Sequence, residues 1–272
     1  RVGKIDRSWQ GVKKVIEHEE LADLNKWLWS ESGRYVRSWE QRYISRLLRQ
    51  VFGYHAVQIG LPEWDFMRHN RILHKWSSTQ HEPCQPTTYA MVMCAAEHLP
   101  FANESLDLLV LPHTLETSSD PHQVLREVER VLVPEGSVVI SGFNPWSIWS
   151  LADRLPGLEQ RLPIQPSLHL SPWRVADWLE LLSFEMTDQV FGGYGPLCGQ
   201  RKWIRRWYFM EKWGARMWPV LGGLYVFKAK KRVNQITMVG LDWSKARHGI
   251  MRPNVAVTKP QMNQSKSTQL KP

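Results

Sequence analysis

The sequence predicts an α/β protein organised around a doubly wound, largely parallel sheet. Three observations carry this. Leu106–Leu111, apolar at every position but Asp107, is a run of strand length, as expected of a strand buried on both faces. A capped amphipathic helix follows it, and a second apolar run, Ser137–Ser141, follows the helix. Strand, crossover helix and strand in that order form the unit from which parallel sheets are built.

The elements follow in chain order. The segment before about Ser45 is helical and amphipathic, with Val12, Val15 and Ile16 on one face and Leu21, Leu24, Trp27 and Leu28 on another stripe. Gly33 interrupts the pattern, and Tyr35, Trp39, Tyr43, Leu47 and Leu48 resume it. The first strand is expected at Ala56–Ile59, ending at Gly60, with a weak second strand near Arg71–His74. Ser77–Pro86, rich in Ser, Thr, Gln, His and Pro, reads as a loop, and Ala90–Cys94 as the next strand. The central helix starts at Ser119 or Asp120 as N-cap with Pro121 in its first turn, where a missing N–H costs nothing. Val124, Leu125, Val128, Val131 and Leu132 repeat along it at helical spacing, and Pro134 and Gly136 stop it. Ser171-Pro172 opens a further helix with Val175, Trp178, Leu179 and Leu182 on one face. Phe184–Phe191 and Leu224–Ala229 are the last strands, and Gly192-Gly193-Tyr194-Gly195 is a turn.

At 272 residues, 43% hydrophobic and 22% charged, the chain has an ordinary globular composition. No apolar run reaches the roughly 18 residues that span a bilayer. Cys84, Cys94 and Cys198 lie far apart without metal-ligand spacing, so they are expected to be reduced thiols in a cytoplasmic protein with no metal site. The net charge of +9 points to an anionic partner, either nucleic acid or a membrane surface. Residues 234–272 are basic, polar and aperiodic, and read as a disordered tail.

The segments Ala95-Ala96-Glu97-His98-Leu99-Pro100-Phe101, Ser105-Leu106-Asp107-Leu108-Leu109-Val110 and Leu125–Gly136 are long, specific and ordered. Together they resemble the pattern D-A-E-x-L-P-F-x-x-x-S-F-D-x-V-V, then L-x-E-x-x-R-V-L-x-P-G-G, of class I S-adenosylmethionine-dependent methyltransferases. The likeness spans about Gly33 to Val233 and is strongest over Met91–Trp146. Asn144-Pro145-Trp146-Ser147 is similar to a segment found after the fifth strand in a bacterial subset of that family. The resemblance implies a Rossmann-like seven-strand sheet ending in an antiparallel hairpin. It also implies an N-terminal helical cap (1–50), a catalytic domain (51–233) with inserts at about 145–170 and 196–220, and S-adenosyl-L-methionine as cofactor.

In open α/β sheets ligands sit at the carboxyl ends of the strands. The resemblance therefore nominates Gln58, Gly60 and Leu61 after the first strand, Ala95, Ala96 and Glu97 after the third, and Leu111 and Pro112 at the end of the fourth. Three positions depart from the family pattern. Gln58 replaces an acid, and Leu61, Pro62 and Trp64 replace small or glycine residues. No acid for the ribose hydroxyls stands near Arg71–Lys75, and Ala95 replaces an Asp facing the adenine. Methyl transfer from a sulfonium depends mainly on positioning, worth up to ~7–11 kcal/mol, and needs a base only if the acceptor must lose a proton. His113, just past the central strand, is the candidate base or substrate contact, and Tyr35, Trp39, Asn144 and Trp146 are candidates for the acceptor pocket.

Arg201–Trp218 places Trp203, Trp207, Met210 and Met217 on one helical side and Lys202, Arg205, Arg206, Lys212 and Arg216 largely on the other. Such a helix suits an anionic membrane surface or a nucleic-acid surface, and equally a solvated face over a core stripe. The expected function is methyl transfer to a small apolar or lipid-like acceptor, in a cytoplasmic protein peripheral to a membrane. Two other readings stay open: a degenerate methyltransferase fold serving as a binding or scaffold protein, and an RNA methyltransferase.

Overall fold

The structure, a computed structural model, describes residues 23–80, 86–153, 162, 170–195 and 209–232. The expectations for residues 1–22, for the tail from residue 233 and for the amino-terminal half of the Trp-rich helix (201–208) lie outside the described residues. The sheet has seven strands: β1 His55–Ile59, β2 His74–Thr79, β3 Ala90–Met93, β4 Leu106–Pro112, β5 Leu132–Phe143, β6 Phe184–Gly192 and β7 Leu224–Lys231. Their spatial order is β3-β2-β1-β4-β5-β7-β6. The first five run parallel, and β7 pairs antiparallel with both β5 and β6. The doubly wound α/β expectation and its terminal antiparallel hairpin are what the chain adopts.

β4 is central because it can be: Leu108, Leu109, Val110 and Leu111 are each wholly buried, and side chains alternate between the two faces of the sheet. One face packs against α1 (Glu31–Leu48), and Val36, Ile44 and Leu48 share a core cluster with Leu108 and Val110. The other face packs against α3 (Pro121–Val131) and α5 (Pro172–Leu181), where Val124, Leu125, Val128, Val175 and Leu179 meet Leu109 and Leu111. α3 follows the capping logic closely: Asp120 Oδ1 accepts from the Gln123 N–H at 3.1 Å, and Pro121 occupies the first turn. Between β4 and α3 lies α2 (Thr114–Thr117), α4 (Ile148–Asp153) follows β5, and α6 (Phe209–Met217) precedes β7.

Three local expectations need correction. The second strand is His74–Thr79, not Arg71–His74, so Ser77-Ser78-Thr79 is a buried strand end and not part of a loop. Pairing with β1 on one side and β3 on the other overrides the weak strand signal of small hydroxyl residues. The break expected at Gly33 falls at Trp29-Ser30, between helical residues 23–28 and α1, and Gly33 lies in the first turn of α1, next to the Ser30 cap, whose Oγ accepts the Gly33 N–H at 3.1 Å. A Cβ there would meet the Trp27 carbonyl oxygen at 2.2 Å and Leu28 Cα at 2.4 Å, so the glycine permits a close backbone approach. Finally, Pro134–Gly136 does not separate helix from strand. α3 ends at Val131, and β5 runs through the bend, with Glu135 at φ 64.

Candidate functional site

The carboxyl ends of β1 to β4 surround a half-open cleft lined by Ile59, Gly60, Thr79, Gln80, Cys94, Ala96, Glu97, Thr114, Thr117 and Ser118. Its space, counting the part open to solvent, is about 440 Å³. Gly60 makes the turn out of β1 at φ +84, a backbone region that side chains disfavour, and a Cβ there would approach Thr114 Oγ1 at 3.2 Å. Thr114 ties β4 to β1, its hydroxyl donating to the Ile59 carbonyl at 2.5 Å. Glu97 Oε1 accepts from both the backbone N–H and the hydroxyl of Ser119, at 3.1 and 3.2 Å, which fixes the loop below α3. Cys94 Sγ lies 2.8 Å from Ser78 Oγ; burial pushes its thiol up, and the Ser78 contact offsets this in part, so the protonated form is favoured.

The loop after β1 is built differently from a glycine loop. The Gln58 amide nitrogen donates towards the carbonyls of Gly60 (3.3 Å), Leu61 (2.9 Å) and Trp64 (2.8 Å), while its Oε1 accepts from the Phe66 N–H at 3.3 Å. A carboxylate at this position would face those carbonyls with no proton to donate. Leu61, at φ 45, turns inward and is buried, as are Pro62 and Trp64. The loop therefore packs on itself, and its one residue lining the cleft, Gly60, already donates its N–H to the Ser78 carbonyl at 2.8 Å.

Of the residues nominated for cofactor contact, Gly60, Ala96 and Glu97 line the cleft, and Ala95 is the half-exposed neighbour of Ala96. Gln58, Leu61, Leu111 and Pro112 are buried behind it. The acid sought near Arg71–Lys75 was sought at the wrong end of β2, whose carboxyl end brings Thr79 and Gln80 to the cleft. Thr114, Thr117 and Ser118 were not foreseen, although they directly follow the fourth strand, where ligand loops gather.

His113 is adjacent to the cleft in sequence but turned away from it, wholly buried. Its Nδ1 lies 2.9 Å from Glu116 Oε2, and its Nε2 makes a 3.0 Å ion-pair contact with Glu40 Oε1, off the axis of an aligned hydrogen bond. All three side chains are fully buried. Burial works to lower the imidazole pKa, but the charge of Glu40, the Glu116 hydrogen bond and the remaining carboxylate interactions outweigh it, pushing the value up to about 10. A protonated imidazole with a carboxylate at each nitrogen has no lone pair for a substrate proton, so this geometry makes His113 a buried cation and not a base. Glu116 Oε1 also accepts the Phe143 N–H at 2.7 Å, joining the cluster to β5. The signal that would have found Glu40 is its phase: it lies one helical turn from both Val36 and Ile44 on the buried stripe, so it requires a partner.

Of the nominated acceptor residues, Tyr35, Trp39 and Asn144 gather around the glycine turns at 192–195 and 222–223, while Trp146 faces outward. Trp39 is buried against Gly192, and Tyr35 is half-buried, hydrogen-bonded to Glu211 and edge-on to Trp149 at 6.2 Å. Asn144 is a staple: its amide donates to the Val220 and Gly222 carbonyls at 2.6 and 2.9 Å, and its Oδ1 accepts the Trp146 N–H at 3.1 Å. Trp146 itself is 64% exposed.

Among the described residues no group of His, Cys, Asp and Glu is placed to hold a metal ion, and no helix is long and apolar enough to cross a membrane. The Gln80 amide, the Glu97 carboxylate and the hydroxyl lone pairs of Thr114, Thr117 and Ser118, whose protons go to the Ile59, His113 and Leu115 carbonyls, form a mainly accepting set that fits the ammonium and ribose hydroxyls of S-adenosylmethionine.

Comparison with known proteins agrees with this reading. Residues 71–140 match the family model described as a methyltransferase domain. The chain is 32% identical over 219 residues to YafS of Escherichia coli (strain K12), an uncharacterised protein, covering 78% of this chain and 83% of YafS. An S-adenosylmethionine-dependent methyltransferase from Thermotoga maritima has the same fold, with a TM-score of 0.52 and 16% identity over 74% of this chain and 91% of that one. So does one from Archaeoglobus fulgidus, with a TM-score of 0.51 and 19% identity over 73% and 94%. The strand order, the cleft at the carboxyl ends and these likenesses together show that the chain belongs to the class I S-adenosylmethionine-dependent methyltransferases, a family whose cofactor is S-adenosyl-L-methionine.

Proposed function

We propose that this protein transfers a methyl group from S-adenosylmethionine, held weakly in the β1–β4 cleft, to a small apolar or lipid-like acceptor on the cytoplasmic side of a membrane. The observation that carries this is the cleft, in which Gly60 at positive φ and Glu97 face each other across the ends of β1 and β3. The cofactor supplies a methyl group already activated by its sulfonium charge. Gly60, Ala96 and Glu97 would hold it, with Thr79 and Gln80 beside the ribose and Ala95 at the edge. The chain's task is positioning and exclusion of water, and His113 takes no part in proton transfer, since each ring nitrogen faces a buried carboxylate away from the cleft.

Weak binding is expected on two grounds. The hydroxyl protons of Thr114, Thr117 and Ser118 on the cleft wall are already given to backbone carbonyls, so few side-chain donors are free for a nucleoside. The loop after β1 also offers fewer free backbone groups, since Gln58 occupies the Gly60, Leu61 and Trp64 carbonyls and the Gly60 N–H donates to Ser78, each absent neutral hydrogen bond costing about 0.5–1.5 kcal/mol. An apolar acceptor is supported by the exposed Trp146, Ile148 and Leu151, which follow the carboxyl end of β5 at the same end of the sheet as the cleft. Asn144 brings Trp218 and Leu221, also exposed, close to them. With Arg216 on α6 these residues suit an anionic membrane interface, extending the expectation for Arg201–Trp218.

The self-packed loop specifically favours a second reading, a methyltransferase fold retained as a binding or scaffold protein. Calorimetric titration with S-adenosylmethionine separates the two. Heat and a thermal shift at millimolar cofactor, lost in Gly60→Val, support the methyltransferase. No response at that concentration favours the scaffold, and submicromolar binding refutes the claim of a weakened site.

A further inference from the structure

A second recognition surface lies at the opposite, amino-terminal end of the sheet. Arg49, His69 and Arg71 line a hollow whose space, counting the part open to solvent, is about 600 Å³. All three are exposed, and among the described residues none has a carboxylate within 4.0 Å. The hollow is built, not incidental. Asn70, buried between His69 and Arg71, donates to the carbonyls of Leu48 and Val51 at 2.8 and 3.1 Å, and its Oδ1 accepts the Ile72 N–H at 2.7 Å. That staple clamps the 65–72 loop to the end of α1 and so sets Arg71 and His69 against Arg49. Lys75 reinforces it by donating to the Met67 and Asn70 carbonyls at 3.0 and 2.8 Å.

Beside the cations stand two aromatic rings that the core does not use. Phe52 is 69% and Tyr54 73% exposed, on the segment leading from Arg49 into β1, and the His74 N–H bonds to the Tyr54 carbonyl at 3.2 Å. Guanidinium groups without a carboxylate partner, at the same end of the sheet as exposed aromatic rings, match a ligand carrying phosphates and planar bases in alternation. We propose that this surface binds single-stranded nucleic acid, with Arg49, His69 and Arg71 on the phosphates and Phe52 and Tyr54 stacking on the bases. The net charge of +9 acts in the same sense. A bilayer is the poorer fit, because Leu73 is the only exposed large aliphatic side chain among these loops, and interfacial insertion needs a broader apolar face. The site is independent of the cleft, so its test stands whether or not S-adenosylmethionine binds.

The experiment is fluorescence anisotropy of the full chain with labelled twelve-nucleotide oligo(U) and oligo(dT) between 50 and 200 mM salt. Arg49→Gln/Arg71→Gln should lower affinity and flatten the dependence of log K on log salt by about 1.4, since each phosphate neutralised on a single strand contributes about 0.7 to that slope. Phe52→Ala/Tyr54→Ala should weaken binding by about five-fold or more per ring while leaving the slope unchanged. Residues 234–272 are the same in every variant, so these differences report the surface alone, and thermal melting confirms that both variants are folded. No binding by the wild-type chain at 50 mM salt overturns the proposal, as does binding that neither pair of substitutions alters. Vesicles of phosphatidylserine and phosphatidylcholine that bind through these same four residues while the oligonucleotides do not would assign the surface to a membrane instead.

Discussion

Replacing His113 by Phe should destabilise the protein severely and remove a pH dependence that the wild type possesses. The imidazole sits between Glu40 and Glu116 with all three side chains fully buried, and an aromatic ring fits beside Phe143, whose centroid is 4.5 Å away. The substitution therefore removes the cation while largely filling its space, leaving two buried carboxylates without a counter-charge. Breaking a buried pair in this way typically costs 3–5 kcal/mol. At roughly 2–4 °C per kcal/mol for a domain of this size, the melting temperature should fall by roughly 6–20 °C. The pH arm follows from the pKa, which is 6.5 in the unfolded chain and about 10 in the native one. Below 6.5 both states hold the proton and the full contribution is present. Above 6.5 the unfolded chain releases its proton while the native chain keeps it, so stability falls with rising pH until about 10. Each unit of that interval is worth about 1.4 kcal/mol, giving up to about 5 kcal/mol in all. Urea denaturation of wild type and His113→Phe from pH 6 to 10 measures both effects. The double variant Glu40→Leu/His113→Phe removes one stranded carboxylate and should regain part of the loss. A single variant that melts within about 2 °C of wild type, together with no His113-linked slope, would falsify the buried-cation assignment.

Three further outcomes are expected. Gln58→Glu turns a donor to three carbonyls into an acceptor, and should cost about 1–3 kcal/mol or more in urea titrations at neutral pH. Gly192→Ala puts a Cβ 2.0 Å from Cζ2 of the buried Trp39, so a loss of about 1–3 kcal/mol from overpacking should appear as a lower melting temperature. Cys94, half-buried with its thiol pushed up, should alkylate with iodoacetamide at pH 7.5 more slowly than a free cysteine, as read by peptide mapping.

Much of the architecture was legible because the apolar pattern and the caps agreed. Leu106–Leu111 is the central strand because all its residues but Asp107 are apolar, and Asp120-Pro121 starts a helix because both residues favour the first turn. β2 was misplaced because Ser77-Ser78-Thr79 carries no apolar signal and owes its strand conformation to its two neighbours. The site was legible at Gly60, Ala96 and Glu97, where a local motif marks the loop. It was not legible at Gln58, whose partners are backbone carbonyls two to six residues further on. The direction of His113 also escaped, because its φ of 53 turns the chain at the end of β4 and carries the imidazole to the far side. A side chain's proximity in sequence to a ligand loop says little about which side of the sheet it serves.

The position of β7 between β5 and β6 bears on how the chain is made. β5 ends at Phe143, and the strand that pairs with its outer edge begins at Leu224. During synthesis the buried run Val138-Val139-Ile140 must therefore wait, its backbone donors and acceptors unpaired, until some eighty further residues have left the ribosome. Over that interval the nascent sheet has an adhesive edge of the kind that recruits chaperones or neighbouring chains. Stalling or truncation between residues 144 and 223 should accordingly give aggregates instead of a smaller folded domain, and the last strand to be made serves as the clasp that closes the sheet.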